Sequence, residues 1–226
     1  MKVFLPTADK FHHILPVYAE LFNKYWPNQD VTVLCYSQPT EFLPENFTIE
    51  LLGMEDSKYW TNGLIPYFEK CTSDYFALLL EDLIPIAPVN QVSVDKMEAE
   101  ILKGASKAML HSTLNHAGLL ADEDILVIKQ GANYRTTLHP AIWTKDYFLK
   151  YLKKNMTPWE FETKNMAASK ADGAKIVSLQ TPNPLTTHIF NCLNLYTKGQ
   201  IKTADHIKRC LIDQEDFTVF TTLPIR

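Results

Sequence analysis

The sequence lacks most of the features that narrow a function quickly. It contains only seven glycines and four cysteines, no excess of basic residues and no long apolar run. No stretch of about 18 consecutive apolar residues occurs, so no transmembrane helix is expected. The opening Met1-Lys2-Val3-Phe4-Leu5-Pro6 is far too short an apolar run for a secretory signal peptide, which points to a soluble, cytoplasmic protein. Cys35, Cys71, Cys192 and Cys210 are widely separated and form no CxxC pair, so free thiols are expected rather than disulfides or zinc. A formal net charge of −4 removes nucleic acid as the default partner, although a local basic groove is not excluded. No Ser-His-Asp, HExxH or P-loop arrangement supports a hydrolase or an NTPase.

What is present is enough apolar material for a core. With 226 residues, 46% of them hydrophobic, the chain can bury a substantial interior as one domain. Lys2 to Leu5 reads as a strand. Leu15, Tyr18, Leu21, Phe22 and Tyr25 recur at helical spacing, with Pro16 tolerated only in the first turn. Val31 to Tyr36 is β-branched and apolar, a second strand. Phe47 to Leu52 and Tyr75 to Leu80 predict further strands, with a helix over Ser57 to Glu69 between them. This repeated strand and helix order is the opening of a parallel α/β sheet. Asp95 and Glu98 have capping-box spacing, which predicts a helix ending at Gly104. Beyond it, Ala108 to Ser112, Ile125 to Lys129, Tyr134 to Leu138, Ile176 to Leu179 and Ile189 to Leu195 read as shorter strands of a mixed, partly antiparallel region. Thr144 is placed to cap a short helix, and Ala204 to Ile212 reads as a closing one.

Two stretches carry chemistry. Ala77-Leu78-Leu79-Leu80-Glu81-Asp82 is a buried strand that stops at two acids. That places paired carboxylates at the carboxyl edge of the sheet, where α/β proteins gather ligands and metals, although the run also fits a solvated loop. Thr157-Pro158-Trp159-Glu160-Phe161-Glu162 is a helix start in which Thr157 and Glu160 make a capping box, giving Glu160 a structural task. Glu162 shares a helix face with Trp159, three positions before it. A carboxylate beside an aromatic plate suits a sugar, whose C–H face stacks on the indole while the acid takes a hydroxyl proton.

Asp74 to Asp82 with Trp60 and Leu64 upstream, then Tyr134 to Trp143, Tyr147-Phe148-Leu149, Pro158 to Glu162, Ile189 to Leu195 and Lys198-Gly199-Gln200, resemble in their order a group of small bacterial and viral glycosyltransferases with the GT-A fold. The resemblance implies an α/β, GT-A-like single domain. Its N-terminal sheet is mostly parallel with flanking helices and its C-terminal part is mixed, residues 1–105 forming a nucleotide-binding half and 106–226 an acceptor half. It implies an enzyme that moves a sugar from a UDP- or GDP-linked donor to an acceptor hydroxyl, with Mn²⁺ or Mg²⁺ as cofactor. Carried onto this chain, it puts Thr7, Ala8 and Asp9 against base and ribose, and makes Glu81 and Asp82 the acidic motif. Asp82 and His188 become metal ligands, Arg135 or Lys198 counters the diphosphate, and Trp159 and Trp143 bind the acceptor. Glu162 becomes the catalytic group that activates or orients the acceptor hydroxyl.

The group usually shows two aspartates, whereas Glu81-Asp82 is followed here by Leu83. This leaves open whether one carboxylate faces ribose and the other the metal, or whether metal dependence is weak. Two alternatives stand beside the transferase: a catalytically inactive nucleotide- or carbohydrate-binding module, and a nucleotidyltransferase. The latter calls for a glycine-rich, basic loop after the first strand, and Pro6-Thr7-Ala8-Asp9 is neither. The acceptor is a glycan or another hydroxyl; a nucleic-acid acceptor is admitted but not favoured.

Overall fold

The computed structural model describes residues 1–53, 59–111, 114, 117–180, 188–197 and 200–223. Strict alternation in the first strands explains how one sheet carries two cores. In β1 (Lys2–Pro6), Val3 and Leu5 face one side and Phe4 the other; in β2 (Val31–Cys35), Val33 and Leu34 divide in the same way. On the first side pack α1 (Leu15–Tyr25) and α3 (Gln91–Leu102), through Leu15, Tyr18, Leu21 and Phe22 of α1 and Val94, Met97 and Ile101 of α3. On the second pack α2 (Trp60–Lys70), α4 (Lys145–Tyr151) and α5 (Pro158–Lys164). There the fully buried Phe148 ring meets Trp60, Phe68, Phe76, Trp143 and Phe161. Truncating such a ring to alanine costs roughly 3–5 kcal/mol.

The remaining strands are β3 (Phe47–Leu51), β4 (Tyr75–Leu78), β5 (Leu83–Pro85), β6 (Lys107–Met109), β7 (Gly118–Leu120), β8 (Ile125–Ile128), β9 (Ala141–Thr144), β10 (Ile176–Leu179), β11 (Cys192–Asn194), β12 (Tyr196–Thr197) and β13 (Gln200–Ile201), the last two paired with each other. Nine of them form one sheet in the order β3-β2-β1-β4-β9-β6-β10-β8-β7. Strands β3, β2, β1 and β4 are mutually parallel; β9 runs against both β4 and β6; β10 is parallel to β6, and β8 runs against β10 and β7. Only β8 and β9 therefore oppose the common direction. A separate ribbon pairs β11 with β5, directly after the acidic turn.

Several predicted boundaries move. Helix α3 begins at the Asn90 cap, whose side chain accepts from Ser93 N at 3.1 Å, so Asp95 and Glu98 lie inside the helix and make no capping box. Tyr134 to Leu138 is a succession of turns, not a strand: Tyr134 has a φ of 57°, and Thr137 N closes onto Tyr134 O at 2.9 Å. The central strand of that region is β9, immediately downstream. Residues 57 and 58 of the predicted second helix lie outside the described residues. The four cysteines are free thiols, and among the described residues no helix is long and apolar enough to cross a membrane.

Candidate functional site

The carboxyl ends of β1 and β4 converge on a cleft of about 470 Å³, whose third wall is the start of α5. Leu79 N still bonds to Phe4 O at 3.0 Å, so the strand pairing continues to the edge before Glu81 and Asp82 turn away. Both acids line the cleft, with Ala8 and Asp9 opposite, and Thr157 and Pro158 from the capping box of α5. The two stretches singled out in the sequence thus meet at one place.

Glu81 is buried, with only 7% of its surface exposed; its carboxylate is served by its own backbone amide, by the Ala8 amide from 3.5 Å and by the Thr7 side chain. Burial, and then the charge of Asp82, push its pKa up to about 8. Asp82 is half-buried; burial and the charge of Glu162 raise its pKa, while Lys202 and its own backbone work the other way. The turn is pinned from the far end of the chain, because Leu195 N donates to Asp82 O at 2.7 Å.

Thr7 is buried and donates its backbone N–H to Leu34 O at 2.9 Å. The Asp9 carboxylate accepts from the amides of Tyr36 and Ser37, both at 3.2 Å, closing the loop after β1 onto the loop after β2. Tyr36 and Trp60 form the aromatic part of the wall, and neither was singled out as a site residue in the sequence. Tyr36 can lie against α2 only because residue 63 is glycine: a Cβ there would come within 2.7 Å of the tyrosine ring. The Tyr36 hydroxyl accepts from Gly63 N at 3.2 Å and donates to Tyr59 O at 2.9 Å.

On α5, Glu160 completes the predicted capping box with Thr157 and also bonds to Lys164, which hold its carboxyl down at about 2. Glu162 turns inward. Its Oε1 accepts from the Thr137 hydroxyl at 2.9 Å and from Leu138 N at 2.6 Å, while its charge is felt by Asp82. Trp159 is 64% exposed and follows Pro158 in the chain, but is not itself among the residues that line the cleft.

Two expected roles need correction. Arg135 faces no ligand: it is fully buried, and its guanidinium donates to the carbonyls of Ile128, Lys129, Ser169 and Ala174 and to the Asp172 carboxylate. Its donors are spent holding the chain together, so none remains for a diphosphate. Trp143 is also fully buried, stacked on Tyr147 in the core, and offers no platform to an acceptor. His188 stacks on His111, with ring centroids 3.8 Å apart, and burial drives its pKa down to about 4. Among the described residues no group of three His, Cys, Asp or Glu side chains is arranged to hold a metal ion. Lys198 lies outside the described residues. The cation whose charge reaches Asp82 is Lys202, for which the sequence offered no signal.

No family model matches the sequence, and no curated protein does. Solved structures do. A cytidylyltransferase from Leptospira borgpetersenii is 10% identical with a TM-score of 0.50, over 100% of this chain and 98% of that one. A mannosyltransferase from Pyrobaculum calidifontis, in complex with GDP-Man and Mn²⁺, is 10% identical with a TM-score of 0.52, over 88% of this chain and 57% of that one. The chain spans about half (52%) of the bifunctional IspDF from Campylobacter jejuni, at 13% identity over 84% of this chain and a TM-score of 0.43. The chain has the GT-A-like fold of the nucleotide-diphospho-sugar transferases, which glycosyltransferases and cytidylyltransferases share.

Proposed function

We propose that the protein is a glycosyltransferase that takes a sugar from a UDP- or GDP-linked donor to an acceptor hydroxyl, with residues 1–105 serving the nucleotide and 106–226 the acceptor. The observation that carries this reading is the acidic turn Glu81-Asp82 on the floor of a cleft walled by the Thr7–Asp9 loop and the start of α5. Ala8, Asp9 and Tyr36 are placed to receive base and ribose. The cleft has acids and few bases, with Lys10 in its lining and the charge of Lys202 nearby, so a diphosphate would need a cation of its own.

The residues fit a divalent ion held mainly by the substrate. Mg²⁺ and similar ions are commonly bound through one or two carboxylates plus phosphate oxygens and water, and Asp82 supplies one such carboxylate. Bound there, Mn²⁺ or Mg²⁺ would neutralise charge on the departing diphosphate. The chain's own part is different. Glu81, with its raised pKa, offers a protonated oxygen for a ribose hydroxyl. Glu162, with Oε1 tied down, has Oε2 for the acceptor hydroxyl, and Trp159 can cover the acceptor's apolar face. A general base contributes about 10²–10⁴-fold.

The second reading is a cytidylyltransferase, favoured by the near-complete mutual coverage with the Leptospira enzyme. One experiment separates them. Calorimetry with UDP, GDP and CTP, each with and without Mn²⁺, is followed by assays of donor hydrolysis on UDP- and GDP-hexoses and of pyrophosphate release from CTP. Metal-dependent diphosphate binding with sugar release supports the transferase; CTP binding with pyrophosphate release replaces it; no heat with any nucleotide removes both.

A further inference from the structure

Lys107 is an oddity in β6. Its side chain is fully buried, and no carboxylate among the described residues lies within ion-pair distance of it. Burying an ammonium group is costly unless its donors are satisfied, and a methionine would fill the same space without that cost. Its Nζ donates to Thr137 O at 2.6 Å and to Arg135 O at 3.3 Å, and stands 4.0 Å over the Trp143 ring. Both carbonyls belong to the turn segment 134–138. The opposite edge of that segment holds Glu162: Thr137 Oγ1 and Leu138 N bind one carboxylate oxygen, and Thr136 Oγ1 donates to Glu162 O at 3.3 Å. Arg135 anchors the same segment from below through four carbonyls and Asp172. The segment is thus gripped on one side by a buried lysine and grips a carboxylate on the other.

We propose that Lys107 is a positioning residue. By fixing the carbonyls of residues 135 and 137, it sets the Thr137 hydroxyl and the Leu138 amide at the geometry that holds the Glu162 carboxylate in place. Burial, with the Arg135 charge beside it, holds the Lys107 pKa well below the usual lysine range, and the Glu162 charge across the segment works against that. A one-ångström displacement of a reacting group can cost 100-fold, so rigid support at this distance has a kinetic role. The inference rests on the reading of Glu162 as the group that handles the acceptor hydroxyl.

The test compares Lys107→Met, Thr137→Val, Glu162→Gln and the double variant Lys107→Met/Glu162→Gln. Each is assayed on the hexose donor that the parent hydrolyses, with UDP or GDP affinity in Mn²⁺ measured beside it and amide hydrogen exchange at Leu138 followed by NMR. Lys107→Met is expected to lower kcat at least 10-fold with KM and nucleotide affinity within about twofold. It should speed exchange at Leu138 while leaving Leu5 in β1 protected, and add nothing to the loss already caused by Glu162→Gln. Thr137→Val removes the hydroxyl's bond to Glu162, and the long one it accepts from His139 N, without touching Lys107, and is expected to give the same split, more weakly. If Lys107→Met does not fold, Thr137→Val decides: parental kcat overturns the cradle. An inactive Glu162→Gln beside a Lys107→Met of parental kcat overturns the positioning role alone. A fully active Glu162→Gln overturns the reading of Glu162, and the Leu138 exchange then reports whether Lys107 orders the segment at all.

Discussion

Glu81 and Arg135 are both charged side chains taken out of water, and they are treated in opposite ways. Arg135 has every part of its fork engaged by carbonyls or by Asp172. Glu81 has its own amide, that of Ala8 at 3.5 Å, the Thr7 side chain and a like charge next door. A satisfied buried charge holds chain segments together; an under-satisfied one at a cleft is poised for something that is not protein. The contrast sorts the residues of this chain better than their residue type does, because a buried arginine near a conspicuous motif reads in sequence as a phosphate ligand.

Breaking the satisfied side should have the largest effect on the fold. Arg135→Leu leaves Asp172 and four carbonyls without their partner, so a loss of roughly 3–5 kcal/mol is expected, with Tm falling by about 10 °C. A thermal melt reads it; an unchanged Tm would put Arg135 back among ligand-binding candidates. Breaking the other side should spare the fold and harm binding. Asp82→Asn is expected to weaken UDP or GDP binding in Mn²⁺ by about 10-fold, since an amide does not give a hard cation the charge of a carboxylate; calorimetry with and without metal checks it.

The pH dependence sharpens the same contrast. Glu81 is held at about 8 in the fold against 4.5 in the unfolded chain. Between those pH values the unfolded state releases a proton that the folded state keeps, so this group's contribution is most favourable below about pH 4.5 and declines as pH rises toward 8. Glu81→Gln should therefore raise Tm by several degrees at pH 8 and hardly at all at pH 4.5. Glu160 behaves with the opposite sign. Its carboxyl is depressed to about 2, so its contribution is present above 4.5 and lost as pH falls toward 2. Being exposed and screened, it should give the smallest effect: Glu160→Ala lowers Tm by a degree or two at pH 7, with turnover unchanged.

Local patterns were legible in the sequence where the chain answers to its near neighbours. The α1 face from Leu15 to Tyr25, the alternation in β1 and β2, and the Thr157–Glu160 capping box depend on residues a few positions apart. Tyr134 to Leu138 failed for the converse reason. Its alternating pattern suits a strand, but its conformation is set by Lys107, Glu162 and the carbonyls around Arg135, none of which is local. Trp143 failed similarly: an aromatic ring carries no sign in the sequence of whether it faces a cleft or the core. The acidic turn was legible because an apolar run that ends abruptly in charge marks a sheet edge, while its partners Tyr36 and Lys202 come from distant loops.

The position of β9 in the sheet order has a consequence for biosynthesis. It lies between β4 and β6 and runs against both, so residues 141–144 close the edge that β4 would otherwise expose. During translation β1, β2, β3 and β4 can associate once about eighty residues have emerged, but the edge of Phe76, Ala77 and Leu78 that faces away from β1 has no mate until Thr144 has left the ribosome. Over that interval the nascent chain displays an apolar strand edge, the kind of surface that recruits chaperones or another unfinished copy. A ribosomal pause between residues 80 and 144 should therefore harm this protein's yield more than one placed earlier or later.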